Sequence, residues 1–232
     1  MKRLIRTTRI VDFPFTNESL PAIRQGMDIK RNDRICAICG SLDQALAMLE
    51  YAAEVTAVDY DAKQAAFADY KAGLIRDGNF EEFFNPMYHP DHAFVRDSAR
   101  IRRNEYFSKK GRLERIRKRL NRLEIRFEKD FIHALTPGRF TKAYLSNILG
   151  HHGFKEKPSE QKEYVKKIIE CLESPKLIYI ANDLSAQLKD FNDILERDNG
   201  LTAKAIMLEP VVDVFPSAGK KHRWHPAVYR AI

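Results

Sequence analysis

The chain has 232 residues, 44% hydrophobic and 31% charged, with a formal net charge of +8, which is room for one α/β domain around a buried core and excludes a disordered polymer. No apolar run reaches the roughly 18 residues of a membrane span, and the basic N-terminus lacks the apolar core of a secretory signal. Three cysteines make no disulfide framework, so a cytoplasmic protein is expected. The charge is local: Arg96 to Lys129 holds 14 Lys/Arg against 5 Asp/Glu, a net of +9, and leaves the remainder near neutral.

Residues 1–15 end in DFPF, an extended entry segment with aromatic side chains to place. NESLPAIRQG predicts a short helix capped at Thr16 or Asn17 and closed by Gly26. Arg34–Cys39 reads as a buried strand, Asp43–Tyr51 as a helix and Glu54–Asp59 as a β-branched second strand. In the helix predicted over Ala62–Ile75, Gln64, Phe67, Lys71 and Leu74 share one side. NFEEFF is a short helix before a proline-containing loop. From Ser98 to Ile132 the pattern is helical, with Leu113, Ile116, Leu120, Leu123 and Phe127 as an apolar stripe among arginines and lysines. FTKAYLSNIL is a strand ending near Asn147, Ser159–Leu172 a helix, KLIYIAND a strand and SAQLKDFNDILERD a helix. The tail reads as two strands joined by a turn.

Strands alternating with helices and closing in a hairpin predict a single α/β domain over 1–232. Its sheet is doubly wound, Rossmann-like and mostly parallel, with an antiparallel C-terminal edge and a basic helical insertion at about 96–132. Ligands of such sheets sit at the C-terminal ends of the strands. Asp59 ends the second strand, where a carboxylate accepts two hydrogen bonds from a ribose diol. The turn before it, CGSLDQ, has one glycine where a dinucleotide fingerprint has three. A nucleoside without phosphates is therefore expected.

GSLDQALAMLEYAAEVTAVDYDAKQ and the residues after it resemble class I S-adenosylmethionine-dependent transferases. More narrowly, Ser41, Asp43 and Gln44, the VDYDAKQ segment, NFEEFF and the YLSNIL strand end resemble the family that transfers the 3-amino-3-carboxypropyl group of S-adenosylmethionine to diacylglycerol. The resemblance implies S-adenosylmethionine as cofactor, with Gly40, Ser41, Asp43 and Gln44 along its methionine portion and Asp59 on its ribose. Tyr60 would flank the adenine, Gln64 fix the adjacent helix, and Ser146 and Asn147 close the pocket floor. Asn147 and His151 are the catalytic candidates, His151 as a general base just after the fourth strand. Leu42 stands where related sequences have a small residue or glycine. A methyltransferase on the same fold is the first alternative and a non-catalytic binding module the second.

The remaining signals have plainer readings. The thiols of CAIC, three apart on a strand, point to opposite faces and belong to the core. NPMY at 85–88 follows a helix, not the fourth strand, and reads as a loop. The paired histidines lack zinc-ligand spacing, so no metal is expected. The basic segment fits a solvated face, an anionic membrane surface suited to a lipid acceptor, or RNA phosphates, the last without a supporting motif. The acceptor is a small molecule or a lipid.

Overall fold

A computed structural model describes residues 10–87, 89–90, 97–150, 158–183, 201–204, 211–214 and 221–231. In chain order they form β1 (Ile10–Val11), α1 (Leu20–Gly26), β2 (Arg34–Ile38), α2 (Asp43–Leu49), β3 (Glu54–Asp59), α3 (Ala62–Arg76), α4 (Phe80–Phe84), β4 (His89–Pro90), α5 (Asp97–Phe107) and α6 (Arg112–Arg117). Then come β5 (Leu123–Phe127), β6 (Phe140–Tyr144), α7 (Pro158–Cys171), β7 (Leu172–Asp183), β8 (Leu201–Lys204), β9 (Val211–Val214) and β10 (Lys221–Ala231). The helix expected over SAQLKDFNDILERD lies outside the described residues.

The main sheet runs β5-β3-β2-β6-β7-β10-β8. Its first five strands are parallel, and β10 is antiparallel to β7, to β8 and to β9. This is the expected doubly wound sheet, with one difference at its far side. The closing strand β10 is not the edge: β9 pairs its first half and β8 its second. Strand order reverses at β2, whose chain continues outward through β3 and β5 before returning to β6. Such a reversal opens a crevice at the strands' C-terminal ends.

The sheet separates two apolar clusters. One joins α1, α2, α3 and α6 to Ile35, Ala37, Val55 and Ala57. The other joins α7 and Phe131 to Cys36, Val58, Ala143 and Ile178. Cys36 and Cys39 fall in different clusters, both buried, as strand alternation requires. Every residue of α2 is buried because α1 and α6 pack on it. Alanine and leucine therefore suit all its faces, and an amphipathic pattern would leave polar atoms unmatched.

The long basic helix expected from Ser98 to Ile132 is instead α5, α6, a 3₁₀ turn at Leu120–Arg122 and the strand β5, which pairs in parallel with β3. The spacing of three from Leu120 to Leu123 spans the turn by coincidence. Leu123, Ile125 and Phe127 alternate with Glu124 and Arg126, the period of a strand. The expected helical insertion is thus helical in α5 and α6, and its last part is a strand of the main sheet.

Several of its arginines have structural partners. Arg117 donates to the carbonyl of Arg76 at 3.0 Å, and Arg119 donates to those of Leu49, at 2.7 Å, and Ala52. These carbonyls lie at the C-terminal ends of α3 and α2, which leave acceptors unpaired and carry partial negative charge. Arg112 and Arg115 pair with Glu50 at 2.9 and 2.7 Å. Helices that follow parallel strands run back along the sheet, so Arg117 and Arg119 sit at the end opposite the crevice, whereas Arg102 and Arg103 of α5 and Lys129 after β5 lie at the crevice end. Among the described residues no helix is long and apolar enough to cross a membrane.

Candidate functional site

A cavity of about 520 Å³ opens at the C-terminal ends of β2, β3, β5 and β6, within the roughly 300–1,000 Å³ of small-molecule pockets. Gly40, Ser41 and Gln44 line it after β2, Asp59 and Tyr60 after β3, Glu128 to Phe131 after β5, and Ser146 and Asn147 after β6. Gly40 has φ of 45°, in the left-handed region that glycine adopts without strain, and a Cβ there would meet nothing within 4 Å. Leu42 has φ of 68° without being glycine, which costs about 1–2 kcal/mol. Its side chain is wholly buried in the core, worth about 1.5–3 kcal/mol, and that burial holds the turn.

Asp59 is the acid the sequence singled out. Its Oδ2 accepts from the Gly40 N–H and its Oδ1 from the Asp61 N–H, each at 3.0 Å. No cation pairs with it among the described residues. Burial pushes its pKa up to about 6, against the lowering effect of N–H groups from Asp61, Gly40 and Tyr60. The carboxylate thus ties the two turns together and still faces the cavity. Tyr60, 73% exposed, stands beside it at the mouth.

The entry segment forms a strap across the opening, with Asp12, Phe13, Phe15, Thr16 and Asn17 lining the cavity. Gln64 stitches it down: its amide donates to the carbonyls of Gly40, at 2.7 Å, and Phe13, at 3.0 Å, and its Oε1 accepts from the Phe13 N–H at 3.2 Å. Gln64 therefore holds the strap to the turn as well as lining the pocket. Replacing it with alanine is expected to speed hydrogen exchange at the Phe13 amide and weaken ligand binding by about 1 kcal/mol, the net value of a hydrogen bond. A variant whose strap exchanges as slowly as wild type would show that Gln64 is not the clasp.

Asp43, expected along the methionine portion, does not line the cavity. Its side chain is wholly buried and accepts from Lys71 Nζ at 2.7 Å, Arg103 Nε at 3.1 Å, and the Thr16 N–H and Ser41 Oγ at 3.1 Å each. Burial raises its pKa, but Arg103 and Lys71 outweigh that and hold it below the usual carboxylate range. Lys71 also donates to the carbonyls of Pro14 and Ser41. The Arg103 guanidinium lies 3.9 Å from the Phe83 ring centre and 5.2 Å from that of Phe107. Two cations meet there because Asp43 opens α2 next to the strap, and α3 and α5 bring Lys71 and Arg103 to the same point.

At the floor, Ser146 adopts a φ of 50° and donates to Glu18 Oε1 at 2.6 Å, as does the Tyr144 hydroxyl at 2.6 Å. Asn147 is adjacent and lines the cavity. His151 lies outside the described residues. Glu18 and Arg103 escaped the sequence reading, and Lys71 was placed on the shared side of its helix without a partner, although a lysine on the buried side of a helix signals a buried anion.

No protein-family model and no curated protein sequence matches the chain. Solved structures do resemble it. The N-methyltransferase NodS from Bradyrhizobium japonicum WM9 has a TM-score of 0.54 at 10% identity over 91% of this chain and 93% of that one. The cyclase SpnF has a TM-score of 0.56 at 11% identity over 96% and 87%. Magnesium protoporphyrin IX methyltransferase (ChlM) from Synechocystis PCC 6803, with bound SAM, has 0.50 at 11% over 92% and 76%. At such identities the likeness is one of fold.

Proposed function

We propose that the chain is an S-adenosylmethionine-dependent transferase and that methyl transfer is its reaction. Asp59 carries this reading: a carboxylate without a cation ends β3 inside a cavity, hydrogen-bonded to a one-glycine turn. Two of the structures with this fold are methyltransferases by description, one with the cofactor bound. The cavity's residues fit that cofactor. Asp59 accepts from the ribose hydroxyls, Gly40, Ser41 and Gln44 border the methionine portion, and Tyr60 flanks the adenine. When bound, S-adenosylmethionine supplies a carbon already activated by its sulfonium. The chain supplies alignment and exclusion of water, through the strap that Gln64 holds down.

Among the described residues the walls carry Asp12, Asp59, Asp61, Glu128 and Asp130 against one cation, Lys129. Such a cavity favours a neutral or cationic small-molecule acceptor over a phosphate or an anionic lipid. Aminocarboxypropyl transfer is the second reading, favoured by the VDYDAKQ and YLSNIL segments, whose Asp59, Gln64, Ser146 and Asn147 all line the cavity.

The by-product distinguishes the two. Incubation with S-adenosylmethionine and a panel of amines, diacylglycerol and RNA, followed by mass spectrometry, is expected to yield S-adenosylhomocysteine. Methylthioadenosine would establish aminocarboxypropyl transfer instead. Binding with neither product would leave a non-catalytic binding module.

A further inference from the structure

Buried carboxylates in this fold are matched to cations: Asp33 to Lys142, Asp43 to Lys71 and Arg103, and Glu50 to Arg112 and Arg115. Two are not. One is Asp59, which faces the cavity, and the other is Glu18, only 7% exposed. Glu18 Oε1 takes the two hydroxyls of Tyr144 and Ser146, while Oε2 is buried with no partner. The titratable groups facing it are Tyr144 of β6 and Tyr179 of β7, and neither supplies positive charge. Arg102 of α5 reaches the neighbouring Asn17 carbonyl at 3.4 Å. Burial raises the pKa of Glu18, only partly offset by those hydroxyls.

A buried carboxylate without a counter-charge is unfavourable until a proton or a cation arrives. Ser146 is the link to the cavity: it lines the floor, its one hydroxyl hydrogen goes to Glu18 at 2.6 Å in preference to Asn147 Oδ1 at 3.4 Å, and its lone pairs can accept from a ligand. Its left-handed backbone, rare outside glycine, fixes the hydroxyl in that position.

We propose that Glu18, acting through Ser146, is the positioning residue for a protonated amine at the cavity floor: the amine donates to Ser146 Oγ, whose hydroxyl donates to the Glu18 carboxylate. The amine is either the α-ammonium of the cofactor or the amino group of the acceptor, and the first source rests on the nucleoside reading above.

Calorimetric titration separates these cases. The nucleoside probes are S-adenosylhomocysteine, its analogue with hydroxyl in place of the α-amino group, and methylthioadenosine. For a cofactor amine, wild type binds S-adenosylhomocysteine roughly ten- to a hundredfold tighter than the hydroxy analogue, the scale of a hydrogen bond to a charged group. Glu18→Gln abolishes that preference and leaves methylthioadenosine unaffected. Binding also releases a proton in wild type, seen as heat that varies with buffer ionisation enthalpy, and releases less in the variant. For an acceptor amine, all three nucleosides bind the two proteins alike, and butylamine or spermidine added to the saturated protein binds wild type more tightly.

Should Glu18→Gln melt early, Ser146→Ala tests the same contact from the cavity side. Failure of all three nucleosides to bind overturns the nucleoside reading alone, and the amine titration of the ligand-free protein then decides the role of Glu18. An unchanged amino-over-hydroxy preference, with amine binding equal in the two proteins, overturns the proposal.

Discussion

Asp43→Ala is expected to destabilise the fold by about 3–5 kcal/mol, the cost of leaving buried charges without their partner. Among the described residues the side chain it removes is the sole carboxylate paired with both Lys71 and Arg103, whose side chains are as completely buried as its own. The loss is a large share of the roughly 5–15 kcal/mol that holds a domain folded. It also frees the Thr16 N–H and so loosens the strap where it crosses the turn. Denaturant unfolding measures the effect. A midpoint close to wild type would mean that water or a rearranged side chain reaches the two cations, and that the cluster is not the anchor described.

Asp59→Ala is expected to weaken S-adenosylmethionine binding by about 1.5–3 kcal/mol, the scale of hydrogen bonds to a charged group, with the fold retained. The residue ends a strand at the cavity wall, and the Gly40 and Asp61 N–H groups that it leaves border that cavity, where water can take its place. The pH dependence has a definite sign. Burial raises this carboxyl to about 6 in the free protein, whereas an unfolded aspartate ionises near about 3.9. Between those values the free fold holds a proton that the unfolded chain has released, so this group makes stability fall as pH rises through the interval. Hydrogen bonds from a diol favour the ionised form and lower the bound-state pKa. Affinity is therefore full above pH 6 and falls by up to about tenfold per unit below it. A flat profile down to the ordinary carboxylate range would remove Asp59 from the ribose.

The parallel half of the sheet was legible because β2 and β3 are short β-branched or apolar runs closed by a glycine and an aspartate, each followed by a helix at the spacing a crossover needs. Gln64, Phe67, Lys71 and Leu74 were placed on one side by helical period alone, and all four are buried. What escaped was non-local. β5 was hidden because Leu120 and Leu123 continue a helical spacing through a 3₁₀ turn, and only pairing with β3 shows the strand. The role of Asp43 was missed for the same reason: its sequence neighbours suggest a cofactor turn, while its partners Lys71 and Arg103 are 28 and 60 residues away. Glu18 gave no signal, since nothing in NESL shows that β6 and β7 will set two tyrosines around it.

The central claim is that the cavity binds S-adenosylmethionine through Asp59. Calorimetric titration of wild type and Asp59→Ala with S-adenosylmethionine, well above pH 6 and with melting curves for both, tests it most directly. Saturable one-to-one binding by wild type, weakened by about 1.5–3 kcal/mol in a variant that is still cooperatively folded at the titration temperature, is the expected result. The absence of binding by folded wild type, or equal dissociation constants for the two proteins, would contradict it.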